Sequence, residues 1–191
     1  MSDDQRDVIE VLTHDHREME EMFRELEQLR GATTDEARSR RKDLVEQVTI
    51  EIARHSVAEE VLVYPQVASK ISKDEAQHAR EEHAEAEETL AKLEKLQPDD
   101  PSFDAEVETL IREIRHHIEE EEGEMFAHMR QTFSEDELRQ MGARVEAFKK
   151  VAPTHPHPNV PNEALPRIAA GPVASLLDRM RDLATSRGTD D

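Results

Sequence analysis

The chain has no cysteine and no tryptophan. The first absence excludes disulfide frameworks, thiolate nucleophiles and iron-sulfur clusters, and it leaves nitrogen and oxygen donors for any bound metal. Aromatic residues make up only 3% of the chain, so a core has to be assembled from aliphatic side chains and methionine. No apolar run approaches the roughly 20 residues that a helix needs to cross a bilayer, and the opening stretch MSDDQRDVIE lacks the basic and apolar parts of a secretion signal. The cytoplasm is therefore the expected location. Positive charge is also scarce: 25 Lys and Arg face 45 Asp and Glu, a net charge of -20. Such a surface repels phosphate backbones and anionic membranes, so neither nucleic acid nor membrane is an expected partner. A length of 191 residues suits one domain with a single core and an appendage.

What is present is helical. Strand alternation is missing, and caps and breakers divide the chain into long amphipathic segments. A first helix is expected over about residues 5–30, ended by Gly31. Thr33, Thr34 and Asp35 open a second, which should stop near Tyr64 because Pro65 follows. Ser72 and Glu75 read as a capping box for a third, ending before Pro98. Asp100 and Pro101 start a fourth that reaches about Arg130, and Ser134 to Asp136 cap a shorter fifth ending near Lys150. Four helices of about 25 residues, each about 37 Å long and joined by short connections, predict an all-α fold, an up-and-down antiparallel four-helix bundle. This bundle and its fifth helix would occupy residues 1–150. Residues 151–191 form an extension: a proline-rich stretch, then an amphipathic helix from Pro172 that carries Val173, Leu176, Leu177, Met180 and Leu183 on one side. That helix is a candidate surface for a protein partner or for self-association.

One constellation occurs twice. EIARHSVAEEVLVYP at 51–65 matches EIRHHIEEEEGEMFA at 113–127, aligning His55 with His117 and Glu59 with Glu121. A simpler unit precedes each copy, DHREMEEMFRELEQL from Asp15 and EHAEAEETLAKLEKL from Glu82, aligning His16 with His83. Imidazole and carboxylate four residues apart share one helix face, the geometry that a metal requires of a single helix. Two such helices with two further histidines suggest a two-metal site.

Helical phasing tests this. With His55 at zero, Leu44, Val48, Ile52 and Leu62 fall between about -20° and +60°, with Glu59 at about +40°. With His117 at zero, Phe103, Leu110, Ile114 and Met125 fall between about +20° and +80°, again around Glu121. Ile9, Leu12, Met19 and Phe23 flank His16, and Ala76, Ala79, Ala86 and Leu90 flank His83. Four histidines and two glutamates thus converge on the core. Each buried without a partner would cost about 1 to 3 kcal/mol or more, so something has to compensate them. The alternatives are a purely structural hydrogen-bond network or a helix rotated to expose them, and the matched duplication argues for metal.

DH at 15–16, HxxxEE at 55–60 followed by Tyr64 and Pro65, EH at 82–83, and HxxxEE at 117–122 followed by Phe126 resemble the hemerythrin-like, or HHE cation-binding, family over about residues 5–130. The resemblance implies a four-helix bundle with two irons, held by His16, His55, Glu59, His83, His117 and Glu121 and joined by an oxo or hydroxo bridge. Relatives of this kind bind dioxygen, sense oxygen, iron or nitric oxide, or handle peroxide. Oxygen carriers of the family use a fifth histidine where this chain has Ala79. Six protein ligands leave about two coordination positions open, which favours reaction with O2, peroxide or NO, including catalase-like peroxide decomposition, over protected oxygen carriage. The alternatives are a non-enzymatic oxygen or iron sensor, an iron-binding or storage module, and a structural bundle whose site is empty or holds zinc.

The same phasing places the remaining histidines and several acids. Glu20 and Glu87 sit at stripe edges, Glu87 being the better substitute for the missing histidine. Glu51 and Glu113, one turn before His55 and His117, could accept from their rings or be surface charges. His128 falls on the core face, too far along for direct ligation if His117 is bound, and a role at a pocket mouth is the lesser alternative for it. His14, His78 and His116 face outward, and His155 and His157 lie among prolines. Tyr64 stands about 180° from His55 and reaches a metal only if the helix distorts before Pro65. Glu75-x-x-His78 and Glu113-x-x-His116 match a ferritin-like pattern, but their histidines point away from the apolar stripes.

Overall fold

The computed structural model describes residues 6–151, and the proline-rich segment and the helix expected from Pro172 lie outside them. The described residues form helices and, among them, no strand: α1 (Val8–Gln28), α2 (Asp35–Ala58), α3 (Tyr64–Lys70), α4 (Lys73–Leu93), α5 (Phe103–Glu120), α6 (Phe126–Thr132) and α7 (Glu135–Val151). Helices α1, α2, α4 and α5 form the bundle, and α7 packs on α1 and α2.

The boundaries follow from cap chemistry. Asp7 accepts from the Glu10 amide while Glu10 returns a bond to the Asp7 amide, a complete capping box for α1. Gly31, at φ +67°, supplies the left-handed turn after α1. Thr34 caps α2 and Ser72 caps α4. The expected box at Ser72 is half formed, because the Glu75 carboxylate instead accepts from His128 at 3.2 Å. Ser134 and Glu137 make a reciprocal box for α7.

The second helix does not end at Tyr64 as expected. A π-helical turn over Glu59–Val63 joins α2 to α3, with the Tyr64 amide bonded to the Glu59 carbonyl five residues back. The extra residue restarts the helix, so Pro65 falls in the first turn of α3, where an amide hydrogen is not needed. A second π turn, Glu121–Met125, joins α5 to α6 in the same way, with the Phe126 amide on the Glu121 carbonyl. Both π turns begin at the glutamate of a His-x-x-x-Glu pair.

The apolar interior is split in two. One cluster gathers Phe23, Leu44, Val48, Leu90, Phe103, Leu110 and Ile114 toward one end of the bundle. The other gathers Leu12, Val63, Val67, Ala76, Ala79, Met125 and Met129 with Leu138, Met141 and Val145 of α7. His16, His55, His83 and His117 lie between these sets along their helices and are themselves buried. Beneath the connections, the buried Arg41 guanidinium pairs with Asp104 and reaches the Pro98 carbonyl at 3.0 Å.

Helix α7 approaches the start of α1 closely enough that Gly142 admits no side chain. A Cβ there would stand 2.5 Å from the Arg6 carbonyl oxygen and 2.8 Å from the Asp7 carbonyl carbon. Backbone cannot yield as a flexible side chain would, so Gly142→Ala is expected to lower unfolding stability by roughly 1 to 3 kcal/mol in urea titration. Gly123→Ala, whose Cβ would meet nothing within 4 Å, serves as the comparison and should leave stability unchanged or slightly higher.

Candidate metal centre

The six expected residues meet in one layer. Donor atoms of His16, His55, Glu59 and Glu121 lie within 4.8 Å of one another, and so do those of Glu59, His83 and His117. The Nε2 atoms of His16 and His55 are 3.1 Å apart, as are those of His83 and His117. Glu59 extends one oxygen to each pair, Oε1 to His55 at 3.2 Å and Oε2 to His83 at 3.3 Å. Glu121 Oε2 lies 3.4 Å from His16 and 3.6 Å from His117, so it too spans both pairs.

The outward ring nitrogens explain this orientation. Each Nδ1 meets a carboxylate: Asp15 at 3.3 Å for His55, Glu60 at 3.1 Å for His83, Glu82 at 2.9 Å for His117 and Glu122 at 2.9 Å for His16. The circuit closes on itself. Asp15 on α1 holds the ring on α2, Glu60 after α2 holds the ring on α4, Glu82 on α4 holds the ring on α5, and Glu122 after α5 holds the ring on α1. An ionised carboxylate can only accept, so each Nδ1 donates and, in the neutral ring, each Nε2 presents a lone pair inward. The interior therefore collects acceptors. Two imidazole lone pairs 3.1 Å apart repel unless a cation or proton sits between them. Glu59 Oε1 and Glu121 Oε2 are likewise buried without a hydrogen-bond partner. This donor set fits a pair of metal ions that prefer imidazole and carboxylate.

Electrostatics agree. Burial opposes charge on His55 and His83, yet the carboxylates around them prevail: Glu59 and Asp15 raise His55 to about 10, and Glu59 and Glu60 raise His83 to about 9. Burial alone would raise the Glu59 carboxyl, but His55 and His83 hold it well below the usual range. The site attracts positive charge in whatever form is available.

Two further groups complete the layer. The π turn rotates Tyr64 inward, which places its hydroxyl 2.9 Å from Glu121 Oε1, 3.2 Å from His83 Nε2 and 3.3 Å from Glu59 Oε2. Burial and then the charges of Glu121 and Glu59 push this phenol well above its ordinary range, so it stays protonated and donates. At the matching place in the other repeat Phe126 stacks on His16, with ring centres 5.9 Å apart. Lys149 of α7 pairs with Asp15, and together with His55 it lowers the Asp15 carboxyl against the cost of burial.

The hemerythrin HHE cation binding domain model matches residues 7–129, well over half of the chain. The chain belongs to that family. An uncharacterized hemerythrin-like protein of Schizosaccharomyces pombe is 29% identical over 92% of this chain and 85% of its own length. A DNA nickase of a Nostoc species is 26% identical over 73% of this chain, which spans only 38% of that protein. Among solved structures, a hemerythrin HHE cation binding domain-containing protein from Mycobacterium kansasii superposes with a TM-score of 0.64 at 22% identity, covering 77% of this chain and 90% of the other. That likeness shows a shared fold.

Within this hemerythrin-like frame the remaining candidates are placed. Glu51 pairs with Arg54 at 2.7 Å and Glu20 with Arg115 at 2.9 Å, so neither faces the layer. Glu113 is half-buried, and burial raises its carboxyl. Neither it nor Glu87 belongs to the two inner donor sets. The carboxylates on the ring nitrogens are Asp15, Glu60, Glu82 and Glu122 instead, residues already present in the DH, EH and HxxxEE motifs. His128 is exposed rather than on the core face, because the π turn adds a residue and shifts the phase by about 100°. Met129 takes the buried position. The ferritin-like set does not assemble, since His78 and His116 are exposed.

In the metal-free domain these shifts imply a pH dependence with a definite sign. His55 and His83 titrate higher in the folded than in the unfolded chain, so their contribution is fully present below about pH 6.5 and is lost as pH rises through 9 to 10. Chelator-treated protein should unfold at lower urea at pH 10 than at pH 7. An unchanged midpoint would contradict the assignment of protons to the inner histidines.

Proposed function

We propose that this chain is a non-haem di-iron protein that binds or reacts with a small oxidant, namely dioxygen, hydrogen peroxide or nitric oxide. The observation that carries the reading is the inward set of acceptors from His16, His55, Glu59, His83, His117 and Glu121, each histidine oriented from behind by its own carboxylate. Glu59 and Glu121 would be shared by both metals and each histidine pair would serve one. When bound, iron supplies electron transfer and open positions for a diatomic molecule or a peroxide.

The protein's own part is positioning and exclusion. Ala79, where the oxygen carriers have a histidine, offers no donor and lines a cavity of about 300 Å³ together with Glu121 and Met125. Small molecules have room there. Tyr64 holds a proton beside His83 and Glu121, whereas Phe126 presents only a ring at the corresponding place. The two metal positions are thus chemically unlike, and the Tyr64 side is the one able to give a hydrogen bond to a bound oxidant. Val63, Met125 and Phe126 close the layer with apolar surface. The net charge of -20 would repel a phosphate backbone, so the activity named for the Nostoc relative is left with that protein.

Metal analysis after iron-replete expression should find two irons per chain with near-ultraviolet charge-transfer absorption, and His117→Ala should lose both. Absence of metal in the parent protein would sink the proposal. Tyr64→Phe removes one hydroxyl and no proposed ligand. It should retain two irons and slow peroxide-driven oxygen evolution by roughly tenfold or more. Oxygen evolution by the parent no faster than from free iron would assign the protein to sensing or storage instead of catalysis.

A further inference from the structure

A second His-x-x-x-Glu pair of motifs lies outside the inner centre. His78 and Glu82 stand one turn apart on α4, and His116 and Glu120 stand one turn apart on the facing α5. Their side chains meet. Glu120 divides its oxygens, Oε2 lying 2.9 Å from His78 Nε2 and Oε1 lying 3.4 Å from His116 Nε2. Glu82 Oε1 lies 3.8 Å from His116 Nε2. Donor atoms of His78, Glu82 and Glu120 all fall within 4.8 Å of one another. Two donors on one cation with bonds of about 2.1 Å are about 3.0 to 3.4 Å apart, so these separations are close to the edges of a coordination polyhedron.

Glu82 provides an independent sign. Its Oε2 accepts from His117 Nδ1 at 2.9 Å, but its Oε1 is buried with no hydrogen-bond partner. A buried carboxylate oxygen 3.8 Å from an imidazole nitrogen is an unfilled acceptor, and a cation would satisfy it. The surroundings favour one: the same cavity is lined by His78, Glu82 and Glu120 and further by Asp74, Glu75 and Glu124. The cavity also reaches Ala79 and Glu121, so it runs from the outer cluster to the inner layer. His78 and His116 are 56% and 61% exposed, which leaves the outer end open to exchange with water.

We propose that His78, Glu82, His116 and Glu120 form a third cation site, which takes a divalent first-row metal such as Fe2+ from solvent and delivers it to the inner centre past Ala79. Two imidazoles and two carboxylates match borderline cations of this series better than Mg2+ or Ca2+. The delivery role rests on the di-iron reading, whereas the site itself does not.

His78→Ala combined with Glu120→Gln tests both parts without touching an inner residue. With the inner irons in place, calorimetric titration with Zn2+ should show one more equivalent bound per chain in the parent than in the double variant, at equal iron content. Equal zinc uptake would overturn the site. Metal-free protein given limiting Fe2+ should then fill its inner centre on the order of tenfold more slowly in the double variant, reaching the same final absorbance. Equal filling rates would overturn the delivery role. Failure of the di-iron reading has a different signature: neither protein would develop the near-ultraviolet band, while the difference in zinc binding would persist.

Discussion

Hydrogen bonds from four ring nitrogens to four carboxylates fix which atom each buried histidine turns inward, and the rest of the bundle is organised around that constraint. An imidazole in a core is free to choose either tautomer and to rotate by half a turn. Asp15, Glu60, Glu82 and Glu122 remove the choice. Because each acid sits on, or in the π turn directly after, the helix preceding that of its histidine around the bundle, the four bonds link α1, α2, α4 and α5 into a closed circuit. The cost is an interior layer with too many acceptors, and that same excess gives the layer its affinity for cations.

The apolar architecture accommodates this cost. Two separate clusters lie on either side of the polar layer, so water is kept away from both directions while the layer stays continuous. Helix α7 contributes more than cover: Lys149 neutralises Asp15, the most deeply buried of the four outer acids as a whole residue, and Leu138, Met141 and Val145 complete one cluster. Gly142 allows that helix to approach the cap of α1. Stability and site geometry therefore depend on some of the same contacts.

Particular residues show how far the sequence can be followed. Helical periodicity placed His16, His55, His83 and His117 and the glutamates at 59 and 121 on buried stripes, because regular α-helix holds up to those positions. It misplaced His128 and left Tyr64 conditional for one reason: a single inserted residue in a π turn rotates everything after it. Pro65 signalled a break, and the distortion did occur there, but as a reset and not an end. Glu60 and Glu122 were visible as the second acid of each HxxxEE, yet one helix alone cannot show that they serve histidines on another. Glu51 and Glu113 lie one turn from a histidine on its own helix and were open to two readings, ring acceptor or surface charge; the rings take their acids from other helices, and Glu51 pairs with Arg54 instead.

The sequence by itself determined the class of the fold and the family, and it put four histidines and two glutamates on buried stripes, since these depend on composition, periodicity and a repeated spacing that operate within single helices. Only the tertiary structure decided which acids orient the rings, that Tyr64 and not Phe126 brings a hydroxyl to the layer, that His78 shares a cavity with Glu82 and Glu120, and that His116 pairs with both acids. Those relations cross from one helix to the next. Their distances follow from how the helices pack and where their registers slip, and a one-dimensional pattern carries no record of either.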